Sequence, residues 1–148
     1  MPVTTDPSEN PIPLRPSPLV QRVFGESRFH TEGDVAALAF ASDGTLWSMD
    51  EVGLLRHWSP EGNALARHFL SDLETVWQFG PGAKLLASGN DTLILWDVAS
   101  GQLIERIPQA AWVTALAFSA DGATVASGHD DGLVRFWDTA TQKFLGQV

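Results

Sequence analysis

Three phenylalanines, Phe40, Phe79 and Phe118, stand 39 residues apart, and the segments around them match. Arg28 to Phe40 and Arg106 to Phe118 both end in Val-x-Ala-Leu-Ala-Phe and run on into an Asp-Gly turn, Asp43-Gly44 and Asp121-Gly122. The middle copy, Thr75-Val-Trp-Gln-Phe79, turns instead at Gly80-Pro81-Gly82. A fixed period near 40 means one supersecondary unit repeated, each copy burying its apolar surface against its neighbours.

Within each period lie short runs rich in Val, Leu, Ile, Phe and Trp. After each phenylalanine come Leu46–Met49, Leu85–Gly89 and Val125–Gly128, then Leu54–Trp58, Leu93–Trp96 and Leu133–Trp137. A fourth set follows at Ala64–Leu70, Leu103–Ile107 and Lys143–Val148. Branched and aromatic residues in short runs, broken by Gly, Asp and Ser, predict strands rather than helices. Four strands per period near 40 make one propeller blade. The expected fold is all-β: three four-stranded antiparallel blades over 30–70, 71–108 and 109–148, preceded by an outer strand at 19–29. Residues 1–18 hold six of the nine prolines and are expected to be an extended, solvated tail. Its Pro13-Leu14-Arg15-Pro16 has PxxP spacing, here taken as tail rather than ligand.

Residues 117–138 read Ala-Phe-Ser-Ala-Asp-Gly-x-x-Val-Ala-Ser-Gly-x-Asp-Asp-Gly-x-Val-x-Phe-Trp-Asp. With Leu86-Ala-Ser-Gly89, Leu95-Trp-Asp97 and the Trp137-Asp138 dipeptide, the chain resembles the WD-repeat family; the first copy departs, with Trp58-Ser59. The resemblance covers about residues 28–148 and recurs in register three times. It implies a buried network joining a His before the first strand, a Ser on the second, an Asp in the next turn and the Trp of the third. A buried indole N–H needs an acceptor. The first repeat offers His30, Ser48 and Trp58, with Val52 in the place of the Asp. The third offers Ser127, Asp131 and Trp137, with Gln109 in the place of the His. The second offers Ser88 and Trp96, and its shorter turn leaves Asn90 or Asp91 to serve. With no complete set, apolar packing is expected to carry the blades.

Three blades fall short of a ring, which usually takes four to eight. An end face of about 500 Å² left in water forfeits roughly 12 kcal/mol, comparable with a domain's whole stability. The expectation is ring closure between copies, as a six-bladed dimer or nine-bladed trimer, with Leu19, Val20, Val23, Phe24 and Phe29 forming a strand shared between chains. The alternative is one portion of a longer propeller.

Charge narrows the partners. Nine Lys and Arg against 18 Asp and Glu give a net charge of −9, so neither phosphate backbones nor an anionic membrane surface is an expected partner. The connections between blades and the second-to-third-strand turns gather on one edge, holding Glu32, Asp34, Asp50, Glu51, Asp72, Glu74, Asp91, Asp130 and Asp131 with no Lys or Arg. With Trp112 and His129, that edge is the expected docking face for a basic peptide or protein. Turn chemistry alone also favours Asp there.

No catalytic or metal site is expected, and no cofactor. Ser127, His129 and Asp131 lack the mutual contacts and oxyanion pocket of a triad, so a hydrolase is the reading set aside. The four histidines, His30, His57, His68 and His129, lack metal-ligand spacing. Gly80-Pro-Gly-Ala-Lys84 lacks the phosphate-loop pattern, Asp130-Asp131-Gly132 is a hairpin turn, and Asn90-Asp-Thr92, a glycosylation sequon, is taken as a turn. There is no cysteine, no leader-like N-terminus and no span of 18 apolar residues, so the expected location is the cytoplasm.

Overall fold

The computed structural model describes residues 33–70 and 74–148. The expected tail at 1–18, the outer strand at 19–29, and His30, Glu32 and Asp72 lie outside the described residues. Among the described residues, twelve strands form three four-stranded antiparallel sheets in meander order, as the repeat predicts. Blade one is β1 Val35–Phe40, β2 Leu46–Asp50, β3 Leu54–Trp58 and β4 Ala64–Phe69; blade two is β5 Val76–Phe79, β6 Leu85–Gly89, β7 Thr92–Asp97 and β8 Gln102–Pro108. Blade three is β9 Val113–Phe118, β10 Thr124–His129, β11 Val134–Asp138 and β12 Phe144–Gln147. A 3-10 turn, Pro81–Ala83, leads into β6.

The first strands lie innermost, with β5 touching β1 on one side and β9 on the other. Blade two is therefore the filling of a sandwich. Strand alternation sorts its side chains between the two sides. Trp77, Phe79, Leu86, Ile94 and Trp96 pack forward on Trp47, Met49 and Leu55 of blade one. Ala87, Leu93 and Leu95 pack backward on Val125, Leu116, Phe118 and Trp137 of blade three. Every blade thus has a front face, bearing the Ser and Trp of the repeat, and a back face; that of blade two is small and aliphatic, with Ala87, Leu93 and Leu95, while that of blade one carries Trp47, Met49 and Leu55.

Glycine makes the second junction close. A Cβ on Gly89 would stand 2.9 Å from the Cβ of Val113, so only hydrogen fits between blades two and three there.

Each end blade has one face without a neighbour among the described residues. Register puts Leu38 opposite Ser48, Phe40 opposite Leu46, and Leu46 opposite Trp58, all on the front of blade one. Leu38 is 59 % and Phe40 63 % exposed.

Candidate functional site

The polar network forms in all three blades, with a membership the repeat alignment does not give. In each, the Trp indole donates to the Ser hydroxyl: Trp58 Nε1 to Ser48 Oγ at 2.8 Å, Trp96 to Ser88 at 2.9 Å, Trp137 to Ser127 at 3.1 Å. In blade three the missing histidine is supplied from β10 itself. His129 Nε2 lies 2.9 Å from Ser127 Oγ, and its Nδ1 lies 3.1 Å from the Ala111 carbonyl oxygen. Asp131 caps Leu133 N–H and pairs with Arg135. In blade one the missing turn aspartate is replaced by Asp50, which accepts from Leu54 N–H at 2.8 Å and pairs with Arg56. Blade two has Ile94, fully buried, where the others carry that arginine. Its short turn is held by Asn90 Oδ1, which accepts from Thr92 N–H. Asp50 and His129 each follow the network serine by two, on the same strand face; that spacing is the signal that finds them.

These bonds are graded by burial. Ser88→Ala orphans an indole walled in by two blades and is expected to cost about 1–3 kcal/mol in urea unfolding. In a single unassociated copy, Ser48→Ala, beside the half-exposed Trp58, is expected to cost roughly half that or less, because water can reach the indole.

The same geometry removes the triad. Ser127 is fully buried, and the second nitrogen of His129 faces a backbone carbonyl rather than Asp131, whose carboxylate is engaged by Arg135. Of the other described histidines, His57 stacks on Trp47 with ring centroids 4.1 Å apart and its Nε2 lies 2.9 Å from Thr45 Oγ1, and His68 lies against Gly101 of blade two.

The loop edge presents a narrower surface than the nine acids suggest. Asp50, Glu74 and His129 are buried and so unavailable to a partner, and Asp131 is engaged by Arg135. Asp34, Glu51, Asp91 and Asp130 remain exposed. Trp112 stands among them, 54 % exposed. Its backbone is clamped: Trp112 N–H donates to Asp130 Oδ1, and Asp130 N–H donates to the Trp112 carbonyl, both at 3.0 Å. The neighbouring Val113 N–H is taken by the Asn90 carbonyl.

The opposite edge is a row of aspartate-capped turns. The Thr45 hydroxyl holds the Asp43 carboxyl below its ordinary value of 3.8. The Ser100 hydroxyl does the same for Asp97, the Ser119 hydroxyl for Asp121, and Thr141 N–H for Asp138. On the loop edge, the Arg135 guanidinium lowers Asp131. A carboxyl depressed in the folded state favours folding above its unfolded value and loses that contribution as pH falls through the folded one. Stability is expected to hold from about pH 7 to 5 and to fall away below about pH 4. Asp121→Asn together with Asp138→Asn should flatten that acid limb, read as thermal midpoints across pH.

A family model described as "WD domain, G-beta repeat" matches residues 101–138. U3 small nucleolar RNA-associated protein 12 of Saccharomyces cerevisiae is 29 % identical over 143 residues, covering 94 % of this chain and 15 % of that protein. Small ribosomal subunit protein RACK1z of Oryza sativa subsp. japonica is 30 % identical over 127 residues, 77 % of this chain and 37 % of its own length. The crystal structure of RRP9 WD40 repeats superposes with a TM-score of 0.65 at 19 % identity, over 80 % of this chain and 39 % of that one. This chain thus spans well under half of each relative. The expectation of a cytoplasmic location is overturned by the yeast likeness, whose name places it with a small nucleolar RNA. Absence of cysteine does not distinguish cytoplasm from nucleus, since both are reducing.

Proposed function

Because the chain belongs to the WD-repeat family, we propose that it is a non-enzymatic interaction scaffold: a rigid arc of blades that holds its loop edge out to a protein partner. Trp112 carries this reading. An exposed indole on a backbone already fixed by Asp130 loses little conformational freedom on binding, and tryptophan is among the residues that dominate interface energies. Asp34, Glu51, Asp91 and Asp130 favour a basic peptide or protein, whose Arg or Lys can also lie over the indole face. The yeast relative's name concerns an RNA; the −9 charge, and arginines at 56 and 135 committed to carboxylates, favour contact through protein rather than phosphate.

Titration of a Lys/Arg-rich peptide tests this. Affinity is expected to weaken severalfold from about 50 to 300 mM salt, because exposed charges are screened. Trp112→Ala is expected to cost about 2 kcal/mol, some thirtyfold in Kd, without moving the thermal midpoint. Salt-independent binding, or none, contradicts the reading.

The arc is completed by further blades. Self-association into a six-bladed dimer or nine-bladed trimer does this with nothing else required. The relatives' greater length favours a second reading, in which blades of a longer polypeptide complete the ring.

A further inference from the structure

The two end faces that lack a neighbour among the described residues repeat, position for position, the two halves of the junction between blades two and three. The front of blade three meets blade two through Val113, Leu116, Phe118, Val125 and Trp137, with Ser127 on the same face. The front of blade one carries, at the same register positions, Val35, Leu38, Phe40, Leu46, Ser48 and Trp58. The back of blade two offers Ala87, Gly89, Leu93 and Leu95, with Ala87 opposite Leu95 and Gly89 opposite Leu93. The back of blade three offers Ala126, Gly128, Val134 and Phe136, paired in the same way. The junction between blades one and two is built differently, with Trp47, Met49 and Leu55 on the back of blade one.

Two positions show what the likeness means. Val113 is 2 % exposed, seated on Gly89, while its counterpart Val35 is 49 % exposed. Gly128 is the counterpart of Gly89, yet a Cβ there would meet nothing closer than Ala115 at 3.5 Å. Nothing among the described residues requires a glycine at 128, whereas a valine seated there as Val113 is seated on Gly89 would require one.

We propose that the occupant of the blade-one front is the blade-three back of a second copy of this chain, with Val35 of one copy seated on Gly128 of the other. The contact joins two different patches, so copies add head to tail, and they form a ring where the rotation from blade to blade closes, rather than a two-fold pair of like faces. This rests on the reading of the chain as an arc completed by self-association, and it specifies which surfaces meet.

The chain has no cysteine, which makes the test direct. Leu38→Cys and Ala126→Cys are prepared as separate full-length variants, and each is oxidised alone and in mixture. Leu116 and Ala87, their counterparts, lie in one packed cluster. The proposal expects a disulfide-linked dimer in the mixture at least tenfold more abundant than in either variant alone. Linking by a single variant overturns the pairing of unlike faces while leaving self-association standing. An unmodified chain that is oligomeric, with no linking in the mixture, overturns the pairing as well. An unmodified chain that stays monomeric by light scattering at tens of micromolar overturns both. Should the cysteine variants fail to fold, Leu38→Asp on the native background must halve or further reduce the mass of the oligomer; an unchanged mass overturns the proposal.

Discussion

Leu93→Ala is expected to lower the stability of the chain by about 2–5 kcal/mol, the cost of a buried cavity that rigid neighbours cannot close. Leu93 is fully buried, sits opposite Gly89, and packs with Ala87, Leu95 and Val125 at the junction of blades two and three. Strands on both sides hold the walls of that cavity apart. Ile104→Ala, on the outer strand of the same blade and 40 % exposed, is expected to change stability by no more than about 0.5 kcal/mol. Urea unfolding of the two variants, with unchanged slope and a shifted midpoint for Leu93→Ala only, is the check. Equal midpoints would mean that the interblade junction is not where the stability lies.

Gly101→Ala is expected to be nearly as damaging, for a reason its turn alone does not reveal. Gly101 has φ +66° and donates its N–H to the Asp97 carbonyl at 2.9 Å. The equivalent turn of blade three has Gln142 at φ +57°, donating to the Asp138 carbonyl. A side chain is therefore tolerated in that left-handed turn, and the conformational part of the cost is held to about 1 kcal/mol. The larger part is contact: a Cβ at 101 would lie 2.5 Å from Cγ and 2.6 Å from Cβ of His68, on the outer strand of blade one. Both are the anchored end of that side chain, so relief requires the blades to part, at roughly 1–3 kcal/mol more. Adding His68→Gly to Gly101→Ala is expected to recover the contact part and leave the conformational part. A double-mutant cycle that comes out additive would show that the two blades do not press together there.

Much of the fold is legible in the sequence because strand and turn chemistry recur in register. The phenylalanine period locates the inner strands at Val35–Phe40, Val76–Phe79 and Val113–Phe118, and the apolar runs after each one form the sheet behind it. The polar network is less legible. Matching positions to the repeat leaves a gap at Val52 and another at Gln109. The chain fills both from the second strand, with Asp50 and His129, since residues two apart on a strand share a face. That substitution also explains why the acidic edge is smaller than a count of carboxylates implies. A turn position reveals that a residue lies at an edge, but whether its side chain turns inward depends on a partner such as Arg56 or Arg135 in the adjoining strand. Direction of approach is the other missing quantity. Val35, Leu38 and Phe40 look like core residues in the pattern, and three blades leave no neighbour for them among the described residues. Composition does not separate one reducing compartment of a cell from another, so the absence of cysteine supports no choice between them.

The claim that these blades are completed by further blades is tested most directly by the mass of the chain in solution. Sedimentation equilibrium at micromolar concentration is expected to give a discrete species of two or three times 16.0 kDa. A single species of 16.0 kDa that unfolds cooperatively and leaves Phe40 and Leu38 in water would contradict it.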